Sequence, residues 1–307
     1  MGLILMLRQD WALSGSGNVK PAVIVHGGAG VVPEGEFALR LQVLEEARQA
    51  AWNILVGGGD AVSAAVAAVV VLEDSPLFNA GTGSALNREG FVELDAAVMD
   101  GENRAFGGVA AVRDVRNPVV LAREVMNSEH VLLACEGASR FARERGIPAY
   151  DPDELITERQ IERWQKARRR GSGEKTGTVG VAVMDASGRL AAATSTGGMV
   201  DQRLGRIGDT PLPGAGNYAE AGLGAASGTG YGEYFMRSLA TYRVVSALRQ
   251  LEPQEALQQA VADLASLGGH GGIILVDATG KSHWQYNTES MCTAWRDAAS
   301  EGAACRR

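Results

Sequence analysis

The chain contains few residues of the kinds that bind transition metals or build disulfide frameworks. Its 307 residues include 3 cysteines and 4 histidines, and neither type shows the spacing of a metal-ligand motif. We therefore expect no catalytic metal and no catalytic cofactor. The odd number of cysteines (Cys135, Cys292 and Cys305) predicts free thiols in a reducing compartment, which favours a cytoplasmic protein.

Long apolar segments and an excess of positive charge are also missing. The longest apolar run, residues 62–72, is shorter than the roughly 20 residues that a membrane-spanning helix needs. The net charge of −7 argues against nucleic acid and anionic membranes as partners. The N-terminal MGLILML has no preceding basic region and is a poor signal peptide, so we expect residues 1–20 to be a disordered extension.

Glycine, in contrast, is abundant. The 40 glycines amount to nearly twice the usual share of about 7%, and they stand in short groups that predict many tight turns. A hydrophobic content of 46% is typical of a folded globular protein. Apolar spacing and end signals predict helices at 37–55, 61–73, 117–126, 131–145, 233–248 and 253–267, and strands at 22–26, 91–99, 107–112, 271–276 and 283–286.

Residues 151–177 differ in composition from the rest of the chain. They are rich in charge and lack a continuous apolar face. We interpret them as a flexible linker that is open to proteolysis. The chain is thereby divided into a first half, 21–177, and a second half, 178–307.

Residues 177–199 read GTVGVAVMDASGRLAAATSTGGM and have the pattern of a β-hairpin. Alternate valines follow Thr178, which places this threonine on the opposite face of its strand. Residues 185–188 are typical of a three-residue loop, and that register pairs Thr178 with Thr196. A two-residue loop would pair Thr178 with Ser195 instead. Threonine also favours strands for its shape alone, so only the cluster of hydroxyls points to chemistry.

The residue before this threonine strengthens the chemical interpretation. Gly177 can adopt backbone geometries that other residues avoid, which suits attack by the Thr178 hydroxyl on its own preceding carbonyl. Cleavage would free an α-amine on Thr178, and an α-amine has a pKa of about 7.7–8.0. Such an amine can serve as the base that a threonine nucleophile needs.

Several further motifs accompany the hairpin in a fixed order. They are HGGAG (26–30), LFNAGTGSALN (77–87), ELDAAVMDG (93–101), NPVVLAREVM (117–126), GTVG (177–180), TSTGGM (194–199), GRIGDTP (205–211), GAGNYA (214–219) and TGYGE (229–233). The set resembles the plant-type L-asparaginase and isoaspartyl peptidase family of N-terminal nucleophile hydrolases. The resemblance covers roughly residues 21–295. We interpret His26 of the first motif as a structural histidine at the end of a strand.

The resemblance implies an α+β fold, the four-layer αββα sandwich. It also implies self-cleavage between Gly177 and Thr178 into an α subunit and a β subunit that stay in one folding unit, and a dimer of these αβ units. Thr178 would be the nucleophile, Thr196 would hydrogen-bond its hydroxyl, and Thr229 with Gly230 would form the oxyanion hole.

The resemblance further assigns the substrate-binding groups. Arg206 would hold the α-carboxylate of an aspartyl group and Asp209 its α-amine, with the backbone of Gly232 assisting. A solvated ion pair is the plain alternative for the two charged residues. Asn79 would lie near the nucleophile, although an ordinary turn explains an Asn before Ala-Gly equally well.

The loop at 72–82 is similar to the structural sodium loop of that family. Backbone carbonyls are suitable ligands for a hard cation. The matching positions are Leu72, Glu73, Ser75, Phe78, Ala80 and Thr82.

The expected activity is hydrolysis of the β-amide of L-asparagine and of β-aspartyl dipeptides. A glycosylasparaginase is the alternative with the same hairpin, but Gly197-Gly198 stands where that branch would have Asn-Gly, and no secretory signal or disulfide framework is visible. A taspase-like endopeptidase would need a longer specialised insertion. An uncleaved scaffold that binds small amino acids through Arg206 and Asp209 is the alternative from a different class.

Overall fold

The computed structural model describes residues 20–170 and 177–306, where the chain forms eight α-helices and twelve β-strands. The predicted disordered extension lies, except for its last residue, outside the described residues. None of the described helices combines the length and the apolar character that crossing a membrane would require. The helices are α1 (Phe37–Val56), α2 (Ala61–Glu73), α3 (Pro118–Met126), α4 (Cys135–Glu144), α5 (Glu158–Arg170), α6 (Gly232–Ser238), α7 (Ala240–Ala247) and α8 (Pro253–Ser266).

The strands form two sheets. They are β1 (Ala22–Gly30), β2 (Leu94–Asp100), β3 (Phe106–Val112), β4 (Leu132–Ala134), β5 (Val179–Met184), β6 (Leu190–Thr196), β7 (Asn217–Glu220), β8 (Gly224–Gly230), β9 (Gly271–Asp277), β10 (Ser282–Tyr286), β11 (Ser290–Arg296) and β12 (Glu301–Arg306). The larger sheet has the order β12-β11-β1-β5-β6-β2-β3-β4, and the smaller has the order β10-β9-β8-β7.

Helices cover the outer face of each sheet. In the larger sheet, α1 packs on β1 and β11, α2 on β5 and β6, and α3 on β2 and β3. In the smaller sheet, α7 and α8 pack on β8 and β9. The inner faces meet where β5 contacts β8 and β1 contacts β9. The protein is therefore a mixed α+β structure with two sheets, as the sequence predicts at this level.

Strands buried on both faces explain the nearly continuous apolar runs in the sequence. In β1, Val23 and Val25 belong to the core beneath α1 and α2, whereas Ile24 belongs to the core between the two sheets. Successive side chains point to opposite faces, so both faces of such a strand must be apolar. Asp60 begins α2 as predicted, since its carboxylate accepts a hydrogen bond from Ser63 N at 2.8 Å.

The hairpin has the predicted register. Val179 pairs with Ser195 and Met184 with Leu190, which continues to Thr178 opposite Thr196. Gly188 adopts a positive φ of 84°, as the three-residue loop requires. The alternative with Ser195 opposite Thr178 is wrong.

Two predicted helices are interrupted. In the predicted helix at 131–145, Leu132 pairs with Gly108 of β3 as part of β4, and α4 begins only at Cys135. The predicted helix at 233–248 is divided into α6 and α7 by Leu239, which adopts a left-handed conformation with φ 49°. The first segment pairs as β4 with the otherwise open edge of β3. This pairing is a tertiary effect that local spacing in the sequence does not reveal.

The predicted flexible linker contains a helix, α5. Trp164 Nε1 donates to the carbonyl of Asn87 at 2.8 Å, and Gln160 Nε2 donates to the carbonyl of Gly83 at 2.6 Å. Trp164 and Ala167 also pack in small apolar clusters, so two apolar residues together with polar contacts join this helix to the protein. An apolar face this short gives little periodicity in the sequence. Residues 171–176, immediately before Gly177, lie outside the described residues.

The prediction of three free thiols is wrong for two of them. Cys292 of β11 stands opposite Cys305 of β12, and the two form a disulfide. Cys135 is free and exposed. The partners meet because the last strand folds back beside β11, and no cysteine spacing in the sequence indicates that pairing.

Candidate active site

Two threonine hydroxyls meet at the open end of the hairpin. Thr178 Oγ1 donates to Thr196 Oγ1 over 3.3 Å, and both residues are buried. The amide of Gly198 also donates to Thr196 Oγ1, at 3.1 Å. Strand pairing of β5 with β6 fixes the two side chains, so the hydroxyl of Thr178 is oriented by a neighbour that is itself held.

Asn79 lies beside these threonines, as expected. Its amide nitrogen Nδ2 donates to the Gly198 carbonyl at 2.7 Å and lies 3.4 Å from Thr196 Oγ1. Its Oδ1 accepts from Ala85 N at 2.7 Å, and its side chain is buried. The loop after α2 thereby delivers a fixed amide to the end of the hairpin.

The predicted cleavage position lies against the end of β1. A Cβ added to Gly28 would meet Gly177 Cα at 2.5 Å and Thr178 O at 3.5 Å. Only a residue without a side chain can occupy this place, and Gly28 also has a positive φ of 101°. The strand predicted at 22–26 continues through Gly30 with a register shift between His26 and Ala29, so the Gly177–Thr178 peptide lies against the backbone of this part of β1.

The three substrate-binding residues assigned from the resemblance converge. A Cβ added to Gly232 would lie 2.7 Å from Asp209 Oδ1 and 2.9 Å from Arg206 Nη2. Asp209 is buried, while Arg206 pairs with the half-exposed Glu233, to which Nη2 donates at 2.9 Å. The guanidinium of Arg206, the carboxylate of Asp209 and the backbone of Gly232 therefore lie close together. This arrangement suits the binding of an amino acid through its two charged ends.

Thr229 and Gly230 end strand β8, just before Gly232. Thr229 is buried, and its hydroxyl has no hydrogen-bond partner within the described part of the chain. Gly230 is enclosed, since an added Cβ would lie 2.3 Å from the Phe235 ring. A buried and unpaired hydroxyl at the edge of such a site is suited to receive a ligand oxygen.

Two acidic residues that we did not predict, Glu93 and Asp95, contact the loop that contains Arg206 and Asp209. Asp95 pairs with Thr196 across β2 and β6, and its carboxylate accepts from Gly208 N at 3.4 Å. Glu93 accepts from Gly205 N at 2.9 Å. Both are buried. The sequence signal that could have indicated them is the presence of acidic residues in the otherwise apolar motif ELDAAVMDG, because a buried carboxylate needs a hydrogen-bonding or charged partner.

The buried position of Asp95 disfavours the charged form of its carboxyl group. Burial raises the pKa of Asp95 to about 7. The amides of Ala111 and Gly208 and the charge of Arg206 act in the opposite direction. This carboxyl group consequently titrates in the pH range in which an α-amine also titrates.

The predicted sodium loop gathers several carbonyl oxygens. A Cβ added to Gly81 would lie 2.5 Å from the Glu73 carbonyl, and one added to Gly83 would lie 2.9 Å from the Phe78 carbonyl. Thr82 N donates to the Glu73 carbonyl at 2.8 Å and closes the loop. Within the described residues no group of three or more His, Cys, Asp or Glu side chains is placed to hold a metal ion. The loop thus turns back on itself with the carbonyls of Glu73 and Phe78 close to its glycines.

Known proteins resemble this chain over most of its length. The model of the family described as Asparaginase matches residues 19–304. An isoaspartyl peptidase/L-asparaginase of Xenopus laevis is 40% identical over 284 residues, covering 90% of this chain and 92% of the relative. An isoaspartyl peptidase of Escherichia coli (strain K12) is 40% identical over 297 residues, with shares of 90% and 92%. An isoaspartyl peptidase/L-asparaginase of Homo sapiens is 40% identical over 294 residues, with shares of 92% and 94%.

Proposed function

Because the chain belongs to the Asparaginase family, we propose that it works as a self-cleaving threonine amidohydrolase. Its activity is that of an isoaspartyl peptidase and L-asparaginase, which follows from relatives at about this identity over nearly their full length. The substrates are small molecules: L-asparagine and β-aspartyl dipeptides. The observation that carries the mechanism is the contact between the Thr178 and Thr196 hydroxyls.

The first step makes the nucleophile. The Thr178 hydroxyl attacks the Gly177 carbonyl, so that an ester forms while the Gly177–Thr178 amide breaks and the nitrogen takes up a proton. Water then hydrolyses the ester, leaving a carboxylate on Gly177 and a free amine on Thr178. The chain becomes an α subunit, 1–177, and a β subunit, 178–307. The enclosure of Gly177 by Gly28 supports this step because it limits the positions that the scissile peptide can take.

The second step is hydrolysis of the substrate. The Thr178 amine takes the proton of the Thr178 hydroxyl as this attacks the β-carbonyl carbon. Thr229 Oγ1 and the Gly230 amide stabilise the oxyanion. The leaving amine or ammonia takes the proton, and water releases aspartate from the acyl-enzyme. Thr196 keeps the Thr178 hydroxyl in place throughout.

Substrate recognition uses both charged ends of the aspartyl group. Arg206 binds the α-carboxylate, Asp209 binds the α-ammonium group, and the Gly232 backbone completes the cradle. Asn79 holds the end of the hairpin through the Gly198 carbonyl. The convergence of Arg206, Asp209 and Gly232 within one small region supports these roles.

The larger organisation follows the same family pattern. The helix, sheet, sheet and helix packing supports a four-layer αββα sandwich. We infer a dimer of αβ units. A sodium ion held by the carbonyls of the 72–82 loop would stiffen the segment that carries Asn79, and it would take no part in the bond cleavage. The ligating positions would be Leu72, Glu73, Ser75, Phe78, Ala80 and Thr82.

The nucleophile can be tested with two substitutions of one residue. Thr178→Ala should abolish both self-cleavage and release of ammonia from asparagine, because it removes the only attacking group. Thr178→Ser should keep both activities, since serine supplies a hydroxyl and, after cleavage, an amine. Mass spectrometry would show the fragments 1–177 and 178–307 for the wild type and the serine variant. Turnover of asparagine and of β-Asp-Leu would be measured in parallel.

Two results would contradict the roles proposed for Thr178. Ammonia release by a folded Thr178→Ala protein would show that another group is the nucleophile. A wild-type chain that stays at the full 32.2 kDa during incubation, yet hydrolyses asparagine, would remove self-cleavage from the mechanism.

A further inference from the structure

Two buried carboxylates lie at the base of the loop that contains Arg206. They are Glu93 and Asp95, two residues apart at the start of β2. The loop residues that they contact, Gly205 and Gly208, stand on either side of Arg206. The two acidic side chains therefore hold the backbone immediately before and shortly after the substrate-binding arginine.

Glu93 has both carboxylate oxygens occupied. Its Oε1 accepts from Gly205 N at 2.9 Å, and its Oε2 accepts from Asn87 Nδ2 at 2.8 Å. Asn87 cannot reverse its amide freely, because its Oδ1 accepts from Glu89 N at 3.0 Å and Phe91 N at 3.1 Å. Asn87 consequently holds the carboxylate of Glu93, and Glu93 in turn holds the backbone at Gly205.

Asp95 is placed in the same way. Its Oδ1 accepts from Ala111 N at 2.9 Å and its Oδ2 from Gly208 N at 3.4 Å. Ala111 has a positive φ of 50°, an uncommon conformation outside glycine, and its amide is turned to the carboxylate. On the hairpin side, Asp95 pairs with Thr196. One residue thus links the nucleophile's partner to the substrate loop.

Within the described residues, the side chain of Arg206 is anchored by an ion pair that is more exposed than the two carboxylates. Its Nε and Nη2 donate to Glu233 Oε1 at 3.0 and 2.9 Å, and the side chains are 16% exposed for Arg206 and 49% exposed for Glu233, so water weakens this pair from the glutamate side. Hydrogen bonds from amides to buried carboxylates are stronger and are not weakened by water. The two carboxylates therefore hold the backbone on both sides of Arg206, while Glu233 orients its guanidinium group.

We propose that Glu93 and Asp95 are positioning residues that hold the 205–209 loop so that Arg206 and Asp209 meet both charged ends of the substrate. The inference rests on the proposed function for the identity of the substrate. It does not involve self-cleavage, in which no substrate carboxylate takes part. Loss of either carboxylate should accordingly weaken substrate binding and leave the Gly177–Thr178 step intact.

The test uses Asp95→Asn, which keeps the shape of the side chain. Asparagine offers one acceptor oxygen and turns an NH2 group toward the second amide, so one of the two hydrogen bonds is replaced by a contact between donors. At pH 8 we expect KM for β-Asp-Leu to rise about tenfold or more, kcat to change by less than about twofold, and self-cleavage to remain complete. Asp100→Asn, at the far end of β2, is the matched control and should leave KM unchanged.

A double-mutant cycle separates positioning from general damage. If Asp95 acts through Arg206, then Asp95→Asn should raise KM little further in an Arg206→Ala background. Equal effects in both backgrounds would overturn the proposal, and so would loss of self-cleavage in Asp95→Asn. Glu93→Gln should show the same KM effect and the same coupling. It decides the question alone if the Asp95 variant does not fold.

Binding of aspartate distinguishes failure of this inference from failure of the proposed function. Calorimetry with L-aspartate on the wild type and on Asp95→Asn needs no turnover. A wild type that binds aspartate but hydrolyses neither substrate would refute the proposed function, while weaker binding by the variant would still support the role of the carboxylates. Equal affinity for aspartate in the two proteins would refute that role.

Discussion

His26 shows how a single buried ionisable side chain is kept neutral between the two sheets. Its Nε2 lies 2.9 Å from the Ser227 hydroxyl, which lies 2.8 Å from Thr194 Oγ1. Burial lowers the pKa of His26 to about 3, and the Thr178 backbone opposes this change in part. The histidine stands within β1 rather than at its end, and its packing fits the structural role expected from the sequence.

This pKa predicts destabilisation by acid. The imidazole of the unfolded chain takes up a proton near pH 6.5, whereas that of the folded protein does so near pH 3. Between these values the unfolded state binds more protons, so the contribution of His26 is complete above pH 6.5 and is lost as the pH falls toward 3. Between pH 6.5 and pH 3, this residue alone should lower the free energy of unfolding by about 1.4 kcal/mol for each unit by which the pH is lowered.

Urea unfolding can measure the effect from pH 7.5 to pH 4.5. The Thr178→Ala protein is a suitable background because it should remain a single chain. Adding His26→Gln should flatten the pH dependence, whatever its effect on absolute stability. Equal slopes for the two proteins would show that His26 is not buried in its neutral form.

At the scale of elements, the irregular end of β1, where its register with β11 shifts between His26 and Ala29, is shaped to receive the peptide before β5. Gly28 and Gly177 are in backbone contact, and Gly28 adopts a positive φ. Gly28→Ala should therefore slow self-cleavage strongly, since the added Cβ displaces the Gly177 peptide. Gly188→Ala is the matched control, because that residue also has a positive φ but open space around it.

Electrophoresis of both variants over time would compare conversion to two fragments. The control should cleave at the wild-type rate, with a stability loss of about 1 kcal/mol from backbone strain. Cleavage of Gly28→Ala at the control's rate would argue against a role for this contact.

Elements with local signals were predictable, and elements set by distant contacts were not. The turn at 185–188 determines the register of the hairpin, so the pairing of Thr178 with Thr196 follows from sequence. The conformation of Leu239 and the pairing of Leu132 with β3 depend on tertiary packing, which local periodicity does not contain. For the same reason, Glu93 and Asp95 were visible in the sequence as acidic residues, but their partners in the 205–209 loop were not.

At the scale of the whole molecule, the two chain segments joined at Gly177 share one sheet. In the larger sheet β1 lies between β11 and β5, and β2 lies beside β6. Strands from before the cleavage position therefore lie beside strands from after it at three places in this sheet: β11 with β1, β1 with β5, and β6 with β2. At each of these strand junctions, a row of backbone hydrogen bonds joins the two parts. Cutting one peptide at the edge of β5 removes none of these bonds.

We therefore expect the cleaved protein to remain a single folded unit. On size-exclusion chromatography in native buffer, the fragments 1–177 and 178–307 should elute together at the position of the uncleaved Thr178→Ala protein. Only denaturant should separate them, because release of either fragment exposes the apolar surfaces of both cores and breaks three strand junctions. Separate elution of the fragments under native conditions would show that the interleaved sheet does not hold the halves together after cleavage.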